Sequence, residues 1–140
     1  MENKKIAIIG VGNMGGAIAV GLLKSGFVPA ANISVADRKE SILKKMGDLK
    51  VNTFQNNLDA AKNADVVINP VRFGSGLKIK NVEAMAYGIP LITTSVGIQG
   101  MKSISQKEII VADNAKEFTI ELIKLVQNKV RFSLSNSSKK

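Results

Sequence analysis

A glycine-rich turn holds the residues of this chain best placed to do chemistry. An apolar run over residues 6–9 leads directly into the spacing G-x-G-x-x-G at Gly10, Gly12 and Gly15, and a helical pattern follows. Gly10 permits a tight turn, Gly12 lets a phosphate approach the backbone, and Gly15 lets the helix pack closely on the strand. The N–H groups and positive dipole end at the start of such a helix attract phosphate. The spacing therefore predicts a site for the pyrophosphate of a dinucleotide.

Three charged residues, Asp37, Arg38 and Lys39, follow the second predicted strand. An acid at this place typically binds the ribose 2′-hydroxyl of NAD, whereas basic side chains favour the 2′-phosphate of NADP. Asp37 has a second interpretation as the N-cap of the next helix, because Glu40 lies three residues later at a capping-box spacing. The two roles are compatible. We expect weak binding of NADP or NAD, and the residues leave the choice between them open.

The composition excludes several kinds of site. The chain has 140 residues with no Cys and no His, which removes disulfides, thiolate catalysis, histidine bases and the usual zinc sites. We therefore expect no metal. The net charge is +9, but the lysines are scattered, which favours a solvated basic surface over nucleic-acid binding. The early apolar run is too short for a signal peptide or a membrane span, so we expect a cytoplasmic protein with no membrane partner.

Strand and helix patterns alternate along the whole chain. This alternation predicts one domain over residues 1–140, an α/β fold with a doubly wound parallel six-stranded sheet in the order 3-2-1-4-5-6 and helices on both faces in three αβα layers. The predicted strands cover residues 5–9, 33–36, 51–54, 65–68, 90–94 and 108–112, and the predicted helices cover 13–24, 39–46, 57–64, 78–87 and a last helix capped by Asn114 with Glu117 three residues later. Loops are expected at 70–76 and 96–101, the second with a helical turn nearby.

Residues 4–68 resemble the amino-terminal half of a pyrroline-5-carboxylate reductase. The resemblance is carried by KIAIIGVGNMGGAIAVGLLKSG, ISVADR and NADVVI. It implies a dinucleotide-dependent reductase in which Arg38 lies near the adenosine end and the pyrophosphate turn is lined by Gly10, Gly12, Asn13, Met14 and Gly15. In that family the fourth strand continues beside the nicotinamide, and a long helical domain then completes the active site and the dimer. Here the strand runs into Asn69-Pro70-Val71-Arg72 instead.

Residues 69–140 resemble a different family, the donor-nucleotide half of a group 4 glycosyltransferase of the GT-B type. The resemblance is carried by NPVRFGSGLKIKNVEAMAYGIPLITTSVGIQGM. It implies that Glu83 binds the ribose hydroxyls of a nucleotide-sugar and that the loop of Gly74, Ser75 and Gly76 lies by its phosphates. Ser75 stands where this motif often has a glutamate. The alternative for Glu83 is an exposed acid on a helix.

The two resemblances together suggest a hypothesis about the whole chain. A junction at Ile68/Asn69 divides it into a reductase-like half, 1–68, and a glycosyltransferase-like half, 69–140. On this basis we expect an engineered chimera without catalytic activity that retains weak nucleotide binding, as a monomer or a weak homodimer. The alternative is an NAD(P)-dependent oxidoreductase domain of the pyrroline-5-carboxylate reductase type, or a nucleotide-sugar-binding transferase fragment.

Overall fold

Strands and helices alternate in the computed structural model, which describes residues 4–70, 89–98 and 109–127. The strands are β1 (Ile6–Ile9), β2 (Ile33–Ala36), β3 (Asn52–Phe54), β4 (Val66–Asn69), β5 (Leu91–Thr93) and β6 (Ile109–Val111). The helices are α1 (Asn13–Ser25), α2 (Glu40–Gly47), α3 (Asn57–Ala61), α4 (Ser95–Ile98) and α5 (Ala115–Gln127), and a short 3₁₀ turn (Ala30–Asn32) precedes β2.

The strands form one six-stranded sheet in the order β3-β2-β1-β4-β5-β6. Every neighbouring pair is parallel, and Ile8 of β1 lies opposite Val35 of β2 and Ile68 of β4. The predicted α/β architecture and strand order are confirmed. In this order β2 and β4 flank β1 on opposite sides, so the carboxyl ends of β1 and β4 meet at the switch point where such sheets bind ligands.

Alternate residues of β1 enter two separate cores. Ile6 and Ile8 join a large cluster with the inward faces of α1 and α5, which contribute Ile18, Leu22, Phe118 and Leu122. Ala7 and Ile9 face a smaller cluster on the opposite side, together with Ala60 and Ala61 of α3. Burying one large aliphatic side chain contributes about 1.5–3 kcal/mol. The central strand is therefore fixed from both faces, and the turn that follows it has a rigid base.

Local hydrogen bonds define where the helices begin and end. Gly26 ends α1 in the left-handed conformation, φ 68°, and its N–H donates to the Leu23 carbonyl at 3.1 Å. The predicted cap of the last helix is present, since Asn114 Oδ1 accepts from the Glu117 N–H at 2.9 Å. The Glu117 carboxylate accepts from the Asp113 N–H at 2.8 Å. That donor lies one residue before the one a capping box would use.

Parts of the predicted pattern differ from the structure or lie outside it. The loop at 70–76, apart from Pro70, and the helix at 78–87 lie outside the described residues, as does the end of the chain from 128. The stretch expected as a loop with a nearby helical turn begins with the short helix α4. Across the described segments, we find no helix with the length and apolarity needed to cross a bilayer.

Candidate nucleotide-binding site

Gly10 turns the chain at the carboxyl end of β1. Its φ is +84°, a left-handed conformation that side chains with a Cβ rarely adopt. Its N–H donates to the Ala36 carbonyl at 2.8 Å, which ties the start of the turn to the end of β2. The turn is therefore anchored to the sheet, and glycine is required at this position.

Gly12 and Gly15 serve different purposes in the same turn. A Cβ at Gly15 would overlap the Gly10 carbonyl oxygen and lie 3.5 Å from Ile8 Cγ2, so α1 packs against the turn and β1 only because that atom is absent. Within the described residues, a Cβ at Gly12 would meet nothing within 4 Å. The space beside Gly12 is open, as the approach of a pyrophosphate requires.

The amino end of α1 presents backbone N–H groups to this space. Gly12 occupies the N-cap position without a side-chain hydrogen bond, and the first turn contains no acidic residue. The Gly16 N–H donates to the Gly12 carbonyl at 2.8 Å, so the three N–H groups before it, those of Asn13, Met14 and Gly15, have no acceptor within the helix. Together with the helix dipole they favour an anion.

Asp37 connects the end of β2 to the glycine-rich turn. One carboxylate oxygen accepts from the Val11 N–H at 3.0 Å, and the other accepts from the Lys39 N–H at 3.0 Å. The N-cap of α2 is Lys39, and Glu40 is the first helical residue. The capping-box interpretation of Asp37 and Glu40 is therefore wrong, because the carboxylate bonds to the turn before the helix. Each oxygen keeps a further lone pair, so Asp37 can still accept from a ribose hydroxyl.

Arg38 and Lys39 add positive charge at the same edge. Both side chains are exposed, and the ion pair found in the described part of the chain joins Lys124 and Glu121 instead. These two cations thus remain available for an anionic group beside Asp37.

Asn69 at the end of β4 was not predicted as a site residue. It is 4% exposed, and its side-chain Nδ2 has no hydrogen-bond partner within the described residues. Its backbone carbonyl accepts from Thr93 Oγ1 at 2.8 Å. The available signal was a polar residue that directly follows the apolar run Val66-Val67-Ile68 at a strand's carboxyl end.

A second carboxylate forms hydrogen bonds at the same carboxyl edge of the sheet, beyond the ends of β5 and β6. Asp113 accepts from the Ser95 hydroxyl at 2.6 Å and from the Ser95 N–H at 2.8 Å. The hydroxyl bond, followed by the backbone bond, lowers the pKa of Asp113 below its ordinary value of 3.8. This pair joins the segments that follow β5 and β6, and it is a structural contact.

One cavity lies at the other end of the strands. It measures about 190 Å³ and is lined by residues that include Lys5, Asn32 and Asn52, which stand at or just before the amino ends of β1, β2 and β3. It is thus separate from the glycine-rich turn. Across residues 4–70, 89–98 and 109–127, no group of three or more acidic, His or Cys side chains could hold a metal ion. Glu83 and the loop of residues 74–76 lie outside the described residues.

Comparison with known proteins identifies relatives of this arrangement. Residues 5–89 match the family described as NADP oxidoreductase coenzyme F420-dependent. The pyrroline-5-carboxylate reductase of Haemophilus influenzae is 44% identical over 72 residues, which are 51% of this chain and 26% of that protein. The same enzyme of Methanosarcina acetivorans is 34% identical over 105 residues, covering 66% of this chain and 39% of that protein.

Solved structures of pyrroline carboxylate reductases share the fold of this chain. A pyrroline-5-carboxylate reductase from Coxiella burnetii has a TM-score of 0.59 at 27% identity, covering 73% of this chain and 41% of that one. The Plasmodium falciparum pyrroline carboxylate reductase, solved with NADP bound, has a TM-score of 0.57 at 20% identity, covering 74% and 40%. The predicted resemblance of the amino-terminal half to this reductase family is confirmed, and its cofactor class is the one that was predicted.

These comparisons overturn the hypothesis of an inactive engineered chimera. The family match over residues 5–89 extends across the supposed junction at Ile68/Asn69. The Methanosarcina enzyme matches 66% of the chain, more than the 1–68 segment contains. The expectation that the chain is not an enzyme is likewise wrong, because the curated relatives are reductases. The findings give no support to a glycosyltransferase half.

Proposed function

Since the chain belongs to the NADP oxidoreductase coenzyme F420-dependent family, we propose that it is the cofactor-binding part of an oxidoreductase of the pyrroline-5-carboxylate reductase type. Its substrate would be a cyclic imine carboxylate. The observation that carries the proposal is the 44% identity to a curated reductase over 72 residues. The chain spans 26% and 39% of the two curated relatives described above, so the activity of the whole enzyme is part of the proposal.

The residues of the glycine-rich turn fit the cofactor. The open space beside Gly12 admits a pyrophosphate, and the uncapped end of α1 offers N–H donors to it. Gly10 and Gly15 shape the turn, while Asn13 and Met14 place their N–H groups at its edge. These five residues are the proposed pyrophosphate site.

The residues after β2 support NADP as the preferred cofactor. Arg38 and Lys39 are exposed cations that can form charge-assisted hydrogen bonds with a 2′-phosphate. Both oxygens of the Asp37 carboxylate already accept backbone N–H groups, which partly offset its negative charge. We infer that Asp37 orients the turn and tolerates the phosphate beside it.

The proposed chemistry is a hydride transfer. Bound NADPH would supply a hydride to the carbon of a C=N bond, and the nitrogen would take up a proton from solvent. The chain's own part is to hold the cofactor at the carboxyl edge of the sheet, over the switch point between β1 and β4.

A cytoplasmic location and a monomer or weak homodimer remain predictions, as does the absence of a nucleic-acid partner.

Calorimetric titration with NADPH and with NADH tests the proposal. We expect NADPH to bind more tightly, and we expect Gly12→Ala to weaken both by at least about tenfold, because a Cβ would occupy the space the pyrophosphate needs. Gly47→Ala is the matched control, since its Cβ would also meet nothing within 4 Å but lies at the far end of α2. Equal affinities of the wild type and Gly12→Ala would contradict the proposed site.

An activity assay tests the reaction. Pyrroline-5-carboxylate and NADPH are mixed with the protein, and the absorbance of NADPH is followed. Consumption of NADPH that requires the imine and is lost in Gly12→Ala supports the reductase proposal. Cofactor binding without such consumption would restrict the role of this chain to holding the cofactor.

A further inference from the structure

The side-chain amide of Asn69 is a buried donor for which the described structure provides no acceptor. Asn69 is 4% exposed, and Nδ2 lacks a partner within the described residues. Buried polar groups are nearly always hydrogen-bonded, and a buried amide without a partner destabilises the fold. The three residues before Asn69 in β4 are apolar, so an apolar side chain here would continue the strand pattern. An asparagine at this position lowers the stability of the fold, so we infer that it has a role other than folding.

The position of Asn69 is set by the pairing of the sheet. Ile8 of β1 lies opposite Ile68 of β4, so Asn69 is level with Ile9, the residue immediately before the Gly10 turn. On its other side Asn69 pairs with Thr93 of β5. Neighbouring strands are about 4.8 Å apart. Asn69 therefore ends the strand next to the glycine-rich turn, at the switch point of the sheet.

The strand order fixes the direction in which a dinucleotide extends. The pyrophosphate site lies at the turn after β1, and the ribose site of the adenosine half lies at Asp37 and Arg38 after β2. Because β2 and β4 flank β1 on opposite sides, the other half of the dinucleotide extends over the end of β4. That half carries hydrogen-bond acceptors, namely the carboxamide oxygen of the nicotinamide and the oxygens of its ribose.

We propose that Asn69 Nδ2 donates a hydrogen bond to an oxygen of the nicotinamide half of NADP and thereby positions the reacting end of the cofactor. This inference rests on the proposed function and names a contact that the function alone does not require. Thr93 Oγ1 donates to the Asn69 backbone carbonyl at 2.8 Å, and this bond does not involve Nδ2. The donor has no partner among the described residues of the free protein and is satisfied when the cofactor binds.

A purely structural role for Asn69 predicts different behaviour. If the amide served only to hold the fold, its replacement would lower the melting temperature and would affect all ligands alike. A donor that binds only the cofactor predicts the opposite effects on stability and on ligand binding. Its replacement by an apolar side chain of similar size leaves the free protein at least as stable and weakens only ligands that contain the nicotinamide half.

The test uses Asn69→Leu and two ligands, NADPH and adenosine 2′,5′-bisphosphate, which lacks the nicotinamide half. We expect an unchanged or higher melting temperature for the free variant, about tenfold weaker binding of NADPH, and unchanged binding of the bisphosphate. Asn69→Ala serves as a second variant that introduces no larger side chain. It should show the same ligand pattern with a lower melting temperature, because it leaves a cavity.

Thr93→Val is the matched control. It removes the neighbouring buried hydroxyl and should lower the melting temperature while leaving the ratio of the two affinities unchanged. Equal losses for both ligands in the Asn69 variants, or no loss for either, would overturn the inference. If the wild type itself bound neither ligand, the proposed function would fail, and that result is distinct from a failure at Asn69.

Discussion

At the scale of single residues, two glycines of the same turn have different roles, one in folding and the other in the proposed binding of the ligand. Gly15 is needed for the packing of α1 on β1, because a Cβ there would overlap a backbone carbonyl that cannot rotate away. Gly12 is proposed to be needed for the ligand, because a Cβ there would enter the open space in which we place the pyrophosphate. Glycine is thus needed for two different physical reasons at positions three residues apart, close packing and open space, and mutations can distinguish the two.

We expect Gly15→Ala to lower the free energy of unfolding by about 1–3 kcal/mol, since the clash forces either the turn or the helix to move. Urea denaturation measures this. Gly16→Ala is the adjacent control. Its Cβ would lie 3.9 Å from Met46 Cε, an ordinary contact, and an alanine within a helix is favoured over glycine by roughly 0.5–1 kcal/mol. Similar urea midpoints for the two variants would contradict the packing role of Gly15.

At the scale of elements, the carboxyl edge of the sheet is held together by carboxylates that accept backbone N–H groups. Asp37 joins the segments after β1 and β2, and Asp113 joins the segments after β5 and β6. These contacts act together with the packing of the cores to place the turns at this edge. Part of the geometry of this edge therefore depends on carboxylate side chains.

The Asp113–Ser95 pair leads to a prediction about pH. Because hydrogen bonds from Ser95 lower the pKa of Asp113 below 3.8 in the folded state, its stabilising effect is present above that value and is lost as the pH falls through the folded pKa. We expect the unfolding midpoint of the wild type to fall more steeply between about pH 5 and pH 3 than that of Ser95→Ala.

The backbone bond from the Ser95 N–H remains in this variant, so we expect a smaller dependence on pH and not its complete loss. Ser41→Ala, which changes an exposed serine of α2, is the control and should follow the wild type. Identical pH profiles for the wild type and Ser95→Ala would show that the pair does not contribute to acid stability.

The elements were largely predictable from the sequence, but the contacts that place them were not. The apolar runs of β1 and β4 and the glycine spacing fix strands and turn through local rules. The bond from the Val11 N–H to Asp37 joins residues 26 positions apart in the sequence, and helix-capping rules do not predict it. The burial of Asn69 follows from strand pairing over long sequence distances, so only a polar residue at the end of an apolar strand hinted at it.

At the scale of the whole molecule, the family match corrects an inference drawn from sequence halves. The sequence patterns of the two halves suggested different families, but the sheet is continuous from β1 to β6 through β4 and β5. The family match includes residues on both sides of Ile68. Parallel αβ units of different families share the same local patterns, because the same sheet geometry selects them. Local resemblance is therefore weaker evidence for a junction than a match that spans it.

The net charge of the whole molecule, +9, gives the last prediction, since it attracts anionic cofactors of either kind. This long-range attraction raises association rates and is screened over about 8–10 Å at ordinary ionic strength. The proposed contact at Arg38 would instead act on the 2′-phosphate, which only NADPH carries. Arg38→Gln and Lys124→Gln each remove one positive charge, so both variants have a net charge of 9 − 1 = +8. Lys124 lies on α5 in an ion pair with Glu121 at 3.5 Å.

We expect both variants to change the salt dependence of the association rate slightly and equally. Only Arg38→Gln should reduce the ratio of NADPH to NADH affinity, by about tenfold. Stopped-flow binding at several salt concentrations measures the rates, and calorimetry measures the ratio. An equal reduction of the ratio in Lys124→Gln would assign the preference to the overall charge and remove Arg38 from the proposed site.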